Sequence, residues 1–305
     1  MILRERPLGE IQSPHVRNAE RVRRVGLWLI LLALGITMVY PMLWMIGTAL
    51  KTTDPALLAA EGAGSGIFAS DGAVISQLFP RTAHWENFVQ VFREVPFARY
   101  FFNSVFVAGM ATLGQLVTCS MAAYAFSRFE FRGRDQWFFC YLATLMVPAT
   151  VTLIPTFILL SRLGLIDTYF ALIVPGMFSA YGTFMLRQFF MGIPRDLEEA
   201  AALDGCGPFM IYWRVILPLS GPALATLGIF CFLGNWQNLL GPLVKINRDE
   251  LKTLPLGLLN FVDLNSVNWP LLMAASLISI LPVILIFLFG QRFFVAGVRV
   301  GGVKG

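Results

Sequence analysis

Asn235, Trp236, Gln237 and Asn238 interrupt an otherwise apolar stretch of about 222–244. An amide that faces hydrocarbon without a partner costs about 2–7 kcal/mol. These side chains are therefore expected to face protein or a wet cavity. Two uses are open to them. They can hydrogen-bond between helices, an interaction worth about 0.6–2 kcal/mol in a membrane. They can also line a path for a solute, because amides pair with hydroxyls and an indole plane suits a weakly apolar ring. Neighbours 237 and 238 lie about 100° apart on a helix, so they need not share a role.

Other reactive patterns are missing from the sequence. Neither His15 nor His84 sits in an HExxH pattern, and no GxxxxGK loop exists to cradle phosphates. Cys119, Cys140, Cys206 and Cys231 lack CxxC spacing. Three of them lie in apolar stretches, where cysteine packs as a small hydrophobe, so neither a disulfide nor a metal site is expected. An intramembrane enzyme would need a nucleophile–base pair or metal ligands at depth. A secondary transporter working alone tends to carry carboxylates there. The apolar stretches offer neither.

The elements that position these residues follow from composition. The chain has 305 residues, is 57% hydrophobic and 13% charged, and has a mean hydropathy of +0.70. Soluble domains carry about a quarter charged residues, so this is a membrane protein composition. A span needs about 20 mostly apolar residues. Six stretches qualify, near 26–50, 101–126, 137–160, 169–190, 222–244 and 271–294. The expectation is an all-α membrane protein with six transmembrane helices. Pro148, Pro155, Pro175 and Pro282 fall inside these stretches, where proline kinks a helix and frees carbonyls. The first stretch is too long for a signal-peptide core and is expected to be retained.

Orientation follows from Lys and Arg. Arg4, Arg6, Arg17, Arg21, Arg23 and Arg24 precede the first span. Arg128, Arg132, Arg134, Arg187, Arg195, Arg214, Arg292, Arg299 and Lys304 fall on the same side, giving that side fifteen of the 23 basic residues. Both termini and the 187–221 loop are thus expected to be cytoplasmic. The outer loop 51–100 holds a glycine-rich stretch, Glu61 to Gly72, that reads as mobile. It also holds HWENFVQVF, in which Trp85, Phe88, Val89 and Phe92 share one face of a short amphipathic helix.

One cytoplasmic stretch, EEAAALDGCGPFMIYWRVILPLS from Glu198 to Ser220, is longer than a connector needs to be. Asp196 is placed to cap a helix from Leu197, with Glu199 completing a capping box. Gly205 can end that helix in a left-handed turn, and Pro208 can open a second one, which Pro218 ends. The first helix shows Ala200, Ala201 and Leu203 without bulky cover, an invitation to another protein. Phe209, Tyr212 and Trp213 on the second suit an interfacial anchor.

This stretch resembles the EAA loop of ABC importer permeases, EAA-x3-G-x9-I-x-L-P. Glu199, Ala200 and Ala201 give the EAA, Gly205 follows, and Leu217 and Pro218 complete the pattern. Val215 stands where the family usually has Ile. NSVFVAG from Asn103, AAYAFSRFEFRGR from Ala122 and the ending VAGVRVGGVKG are similar to segments of carbohydrate permeases, the last to the second permease of maltose-type importers. The likeness covers about 100–305.

The resemblance implies a type I ABC importer permease fold in a prokaryotic inner membrane. It divides the chain into a cytoplasmic segment 1–25, a permease domain 26–296 with its coupling loop at about 191–221, and a cytoplasmic tail 297–305. It implies as partners a second, different permease, two cytoplasmic ATPases, an extracytoplasmic solute-binding protein and membrane lipids, with no nucleic acid. ATP and Mg would sit on the ATPases, and this chain would bind no cofactor or metal and hold no catalytic residue. Glu199, Ala200, Ala201, Asp204, Gly205, Leu217 and Pro218 would couple to an ATPase. Gly301, Gly302, Val303, Lys304 and Gly305 would reach the ATPase dimer interface. Asn235, Trp236, Gln237 and Asn238 would line the route of a sugar or oligosaccharide. Glycerol phosphate is the alternative solute, but basic groups deep in the spans are few. NWQNLLGP departs from the family's usual WN-acid-aromatic-L-W-P at this point, and 62–79 is longer than typical family loops.

Overall fold

The structure is a computed structural model that describes residues 14–54, 82–262 and 267–301. The Glu61–Gly72 stretch, the 62–79 segment and the tail residues Gly302–Gly305 lie outside these. The described residues form helices and no strand beyond one isolated bridge between Val262 and Val267. They fall into two compact units that divide after Asn87.

The first unit is built on α1, Pro14–Ala49. Its Arg23–Ala49 part is long and apolar enough to cross a membrane. Leu27, Trp28, Leu29 and Ile30, which point to all sides of the helix, are exposed. After α1 the chain folds back, and buried Asn87 donates to the carbonyls of Ala49 at 2.8 Å and Lys51 at 2.7 Å.

The second unit begins at Phe88, the second residue of α2, Asn87–Glu94, in the HWENFVQVF stretch. Val89 and Phe92 lie on its exposed side, with exposed Trp85 just before it, while Val91 is buried. The central helix is α3, Phe97–Arg128. It packs against α6 (Tyr169–Gly176), α7 (Ala180–Met191) and α10 (Gly221–Trp236). Small residues on α3 permit this: Ala108, Ala111, Cys119 and Ala123 are all buried. Without a hydrophobic drive between helices in lipid, close approach of small faces supplies the packing. A Cβ on Gly182 of α7 would lie 3.0 Å from Cys119 Sγ and 3.2 Å from Leu227 of α10, so that three helices meet at a glycine.

Prolines and caps break the remaining spans. The third runs as α4 (Arg134–Ala143), a short 3-10 turn and α5 (Ala149–Arg162), bent by 98° at Val147–Pro148. Pro155 lies inside α5. The fourth is α6 and α7, whose starts are capped by Thr168 and Ser179. Between α7 and α10 lie α8, Asp196–Leu203, and α9, Pro208–Leu219. The fifth span is shorter than its apolar stretch: α10 ends at Trp236, and a separate α11, Leu240–Lys245, follows. After α12 (Leu254–Leu258), α13 runs from Trp269 to Gly301 with Pro282 inside it. It continues past residue 296 to Gly301. Among the described residues, four helices are long and apolar enough to span a membrane, or up to six when each bent pair counts as one span.

Candidate functional site

The stretch from Glu198 to Ser220 folds into two short helices, and it departs in detail from what its residues suggest. Asp196, Glu198 and Glu199 occupy the first turn of α8, where carboxylates favour the helix dipole. No side chain caps the helix. Arg195 takes the cap position in a helical conformation, and Asp196 is already the first helical residue, so it cannot act as the cap. Gly205 does close α8, at φ +85, and the N–H of Cys206 returns to the Ala201 carbonyl at 3.0 Å. Pro208 opens α9. Pro218 does not end it. The chain widens into a π turn over Tyr212–Ile216, with the Leu217 N–H on the Tyr212 carbonyl, and the helix carries the proline inside. This turn reroutes the bonds that a proline interrupts. The bend comes at Ser220, whose Oγ accepts no cap but donates to the Ile216 carbonyl at 2.7 Å, and α10 leaves at 79°.

Exposure sorts the residues of this stretch. Glu199, Ala200, Asp204 and Gly205 are open, and Leu203 is 89% exposed, an unusual position for a leucine. Ala201 instead packs on the core made by α3, α7, α9 and α10. Phe209 and Trp213 are exposed as an anchor requires, but Tyr212 turns inward. Its hydroxyl meets that of Ser120 on α3 at 2.7 Å, which satisfies both in the interior.

Sequence reasoning missed the residue that ties α8 down. Glu198 Oε1 lies 2.6 Å from Arg128 Nε, with side-chain exposures of only 15% and 6%. The alignment is that of two charges in contact rather than of a linear hydrogen bond. The same guanidinium donates to the carbonyls of Phe190 at 2.8 Å and Ile193 at 2.9 Å. Burial raises the Glu198 pKa, an effect that the nearby Arg128 and then Arg195 oppose. Around this pair lies a cleft of about 280 Å³ lined by Tyr124, Arg195, Glu199, Ala202 and Pro208 among others. The signal in the sequence was the spacing alone: an arginine ends one span and a second glutamate precedes the EAA.

Arg187, the other basic residue near a span end, is also engaged. It stacks over the Phe138 ring at 4.2 Å and donates to the Phe126 carbonyl at 3.1 Å.

The amide cluster is not one surface of one helix. Asn235 and Trp236 are the last two residues of α10, while Gln237 and Asn238 lie in the break before α11. The apolar stretch looked continuous because Leu239, Leu240 and Leu243 resume after the break. Asn235 donates to its own helix at the Cys231 carbonyl, 2.8 Å away. Asn238 accepts the Gly241 N–H at 3.0 Å, from one residue before the cap position that Leu239 takes. Trp236 is buried, stacks on Phe232 and meets Phe101 edge-on. Gln237 is exposed, and among the described residues its amide has no hydrogen-bond partner.

At the other end of α3, Asn103 donates to the carbonyls of Glu250 and Lys252, each at 2.9 Å, and Tyr100 donates to Asp249 at 2.7 Å. Beside it, a mainly apolar cavity of about 900 Å³ between α3 and α6 is lined by Phe106, Leu113, Val117 and Tyr169 among others. Among the described residues no three His, Cys, Asp or Glu come close enough to hold a metal.

Residues 114–300 match the family described as binding-protein-dependent transport system inner membrane component. The chain is 37% identical over 227 residues to the arabinooligosaccharides transport system permease protein AraQ of Halalkalibacterium halodurans, covering 74% of this chain and 81% of that one. It is 33% identical to the probable ABC transporter permease protein YurM of Bacillus subtilis, over 98% of this chain and 96% of that one. Identity to the sn-glycerol-3-phosphate transport system permease protein UgpE of Agrobacterium fabrum is 38%, over 67% and 73%. A bacterial ABC transporter involved in the import of the acidic polysaccharide alginate contains a chain of the same fold, with TM-score 0.78 at 23% identity, covering 94% of this chain and all of that one. The fold is thus that of a type I ABC importer permease.

Proposed function

This chain belongs to the binding-protein-dependent transport system inner membrane components, and on that premise we propose that it is one permease half of an ABC importer for an oligosaccharide. The observation that carries this reading is α8, a short helix with an open face of Glu199, Ala200 and Leu203 held at the end of the bundle. A leucine 89% exposed beside small residues is a surface for a protein partner rather than for solvent. In this reading an ATPase receives α8, and its closure on ATP and reopening drive alternating access by rigid-body motion.

The assembly contains a second permease, two ATPases that hold ATP and Mg, and an extracytoplasmic binding protein that delivers the solute. This chain binds no cofactor and supplies transport without catalysis. The chain crosses a prokaryotic inner membrane six times, with both termini and α8 on the cytoplasmic side, in keeping with the bias of Lys and Arg. Asp204, Gly205, Leu217 and Pro218 shape the coupling loop, and Gly301 to Gly305 extend toward the ATPases. Asn235, Trp236, Gln237 and Asn238 mark the region of the route, with Gln237 as the member whose amide is open to a solute.

An oligosaccharide is favoured by the relatives named for arabinooligosaccharides. Relatives named for sn-glycerol-3-phosphate support a second reading. Arg128 and Arg187 are both engaged, so a phosphate would have to rely on Lys245, buried at the end of α11. The test is uptake by the reconstituted importer. Saturable, ATP-dependent uptake of labelled arabinooligosaccharide, not displaced by sn-glycerol-3-phosphate, supports the first reading. The reverse preference establishes the second.

A further inference from the structure

We propose that the Arg128–Glu198 pair is a positioning strut that carries displacement of α8 into the central helix α3. The proposal rests on the reading of α8 as the ATPase-docking helix. Three observations converge on the pair.

The first is connectivity. No residue of α8 is fully buried, and its apolar hold on the core comes through the small side chain of Ala201. Glu198 is its charged tie. Arg128 is the last residue of α3, and α3 packs against α6, α7 and α10 among others. A push on α8 is therefore delivered to the end of the element that organises the bundle. The two carbonyl bonds from Arg128 to Phe190 and Ile193 fix the guanidinium against the end of α7, so the strut has a fixed seat. The planar guanidinium holds both carbonyls through Nη2 and sets Nε beside the carboxylate in a fixed fork, which a flexible ammonium does not preset.

The second is the division of labour between neighbours. Glu198 turns inward and Glu199 is exposed. Adjacent helical residues point about 100° apart, so one carboxylate can face a partner while the next faces Arg128.

The third is energetic. Replacing a buried ion pair with apolar residues is often neutral or stabilising. For Glu198, burial outweighs its cationic neighbours and raises the carboxyl's pKa. The ionised group is thus costly to the fold, and stability does not account for it. The charge holds two elements in register instead.

The far end of α3 lies about 48 Å away along a helix of this length. There Tyr100 and Asn103 grip the 249–252 segment. Rotation or translation of α3 at Arg128 would reach that grip as a rigid-body movement.

The experiment uses the complete importer in liposomes, with Cys140 and Cys206 replaced by alanine. One spectroscopic label is placed at Ala202 on α8, and another at Phe102 near the start of α3. In the parent, ATP should change both signals. In Glu198→Gln the Ala202 signal should still respond, while the Phe102 response falls about fivefold or more. Solute moved per ATP should fall by a similar factor, on the scale of ordinary coupling between sites. A merely structural role would lower the yield of complex and leave both responses intact in the complexes that form. Unchanged responses at both labels in Glu198→Gln overturn the proposal. If that variant fails to assemble, Arg128→Met with Glu198→Met removes both charges, and the same two signals decide. If α8 fails to respond in the parent itself, the docking-helix reading falls rather than the strut.

Discussion

Trp236 donates its indole N–H to the carbonyl of Ser279 at 3.2 Å, tying the end of α10 to α13. The aromatic member of the amide cluster is therefore a packing residue in this structure. Its ring is buried, and its one donor is spent on backbone. Trp236→Phe keeps most of the apolar contact and removes the bond. A buried hydrogen bond is worth about 0.5–1.5 kcal/mol, and a carbonyl left dry costs about 1–3 kcal/mol. The variant should unfold earlier in detergent, and the solute preference of surviving complexes should stay unchanged. A shifted preference would place the indole on the route after all.

The three amides should separate in the same assay. Asn238→Leu removes the acceptor for the Gly241 N–H and should cost about 0.5–2 kcal/mol, as the loss of a side-chain acceptor at a helix start does. Asn238→Asp should recover that loss, because a carboxylate accepts the same bond. Gln237→Leu should leave stability within about 0.5 kcal/mol, as an exposed substitution does. Flux of an oligosaccharide should fall for Gln237→Leu and not for Asn235→Leu, whose amide bonds its own helix. Normal transport by Gln237→Leu removes this stretch from the route.

Most of the helical architecture is legible in the sequence, because length and apolarity decide what can span a membrane. The breaks are harder to read. Pro148 marks its bend, since a proline's neighbour is pushed out of the helical region. Pro218 does not, because the preceding π turn absorbs it. The end of α10 carries no proline, and its Gly234 lies two residues before the helix stops. Gln237 and Asn238 break the helix amid leucines, and hydropathy averages across them. The left-handed Gly205 was legible because glycine takes that backbone at the least cost. The Arg128–Glu198 pair was not, since its members lie far apart in the chain and only the packing of α3 against α7 brings them together.

Gly205 gives a sharp test of the coupling loop. At φ +85 its surroundings are open, and a Cβ would meet nothing within 4 Å. Any effect of Gly205→Val is therefore one of backbone conformation, not of space. A side chain in the left-handed region costs about 1–2 kcal/mol, more for a β-branched one. The complex should reach the membrane at normal levels, and uptake should be lost as α8 ends in another geometry. Gly205→Asn, which tolerates this region, should keep a substantial part of the activity. Wild-type uptake by the valine variant with the ATPase still bound would break the link between this turn and coupling.

Gly257 tests the opposite situation, where space decides. A Cβ there would lie 2.2 Å from Cδ2 of the Tyr100 ring, which is fully buried. The ring cannot swing freely, because its hydroxyl holds Asp249 at 2.7 Å and accepts from Asn260 at 3.1 Å. Overpacking of this kind costs about 1–3 kcal/mol. Gly257→Ala should lower the unfolding temperature of the complex measurably. Adding Tyr100→Leu should recover part of the loss, as two residues in contact behave non-additively. Purely additive effects would show that the two residues do not meet.

The pH dependence of α8 follows from Glu198. Its pKa is raised on folding, with burial the larger cause and Arg128 opposing it. As pH falls, the folded chain thus takes up this proton before the unfolded chain does. The group favours the folded state fully below its unfolded pKa, and that contribution is lost as pH rises through the raised folded value. Wild type should therefore gain stability relative to Glu198→Gln as pH is lowered from neutral into the carboxylate range. Two unfolding series in detergent, one for each protein, measure this difference directly. Protonation also removes the negative partner of Arg128, so the same acidification should loosen the tie between α8 and α3. In wild type, solute moved per ATP should then fall toward the Glu198→Gln level over the window in which the stability difference changes. A Glu198→Gln complex should show no such step. If both proteins follow one pH profile for stability and for coupling, Glu198 is not the group that titrates, and its charge has no part in holding α8.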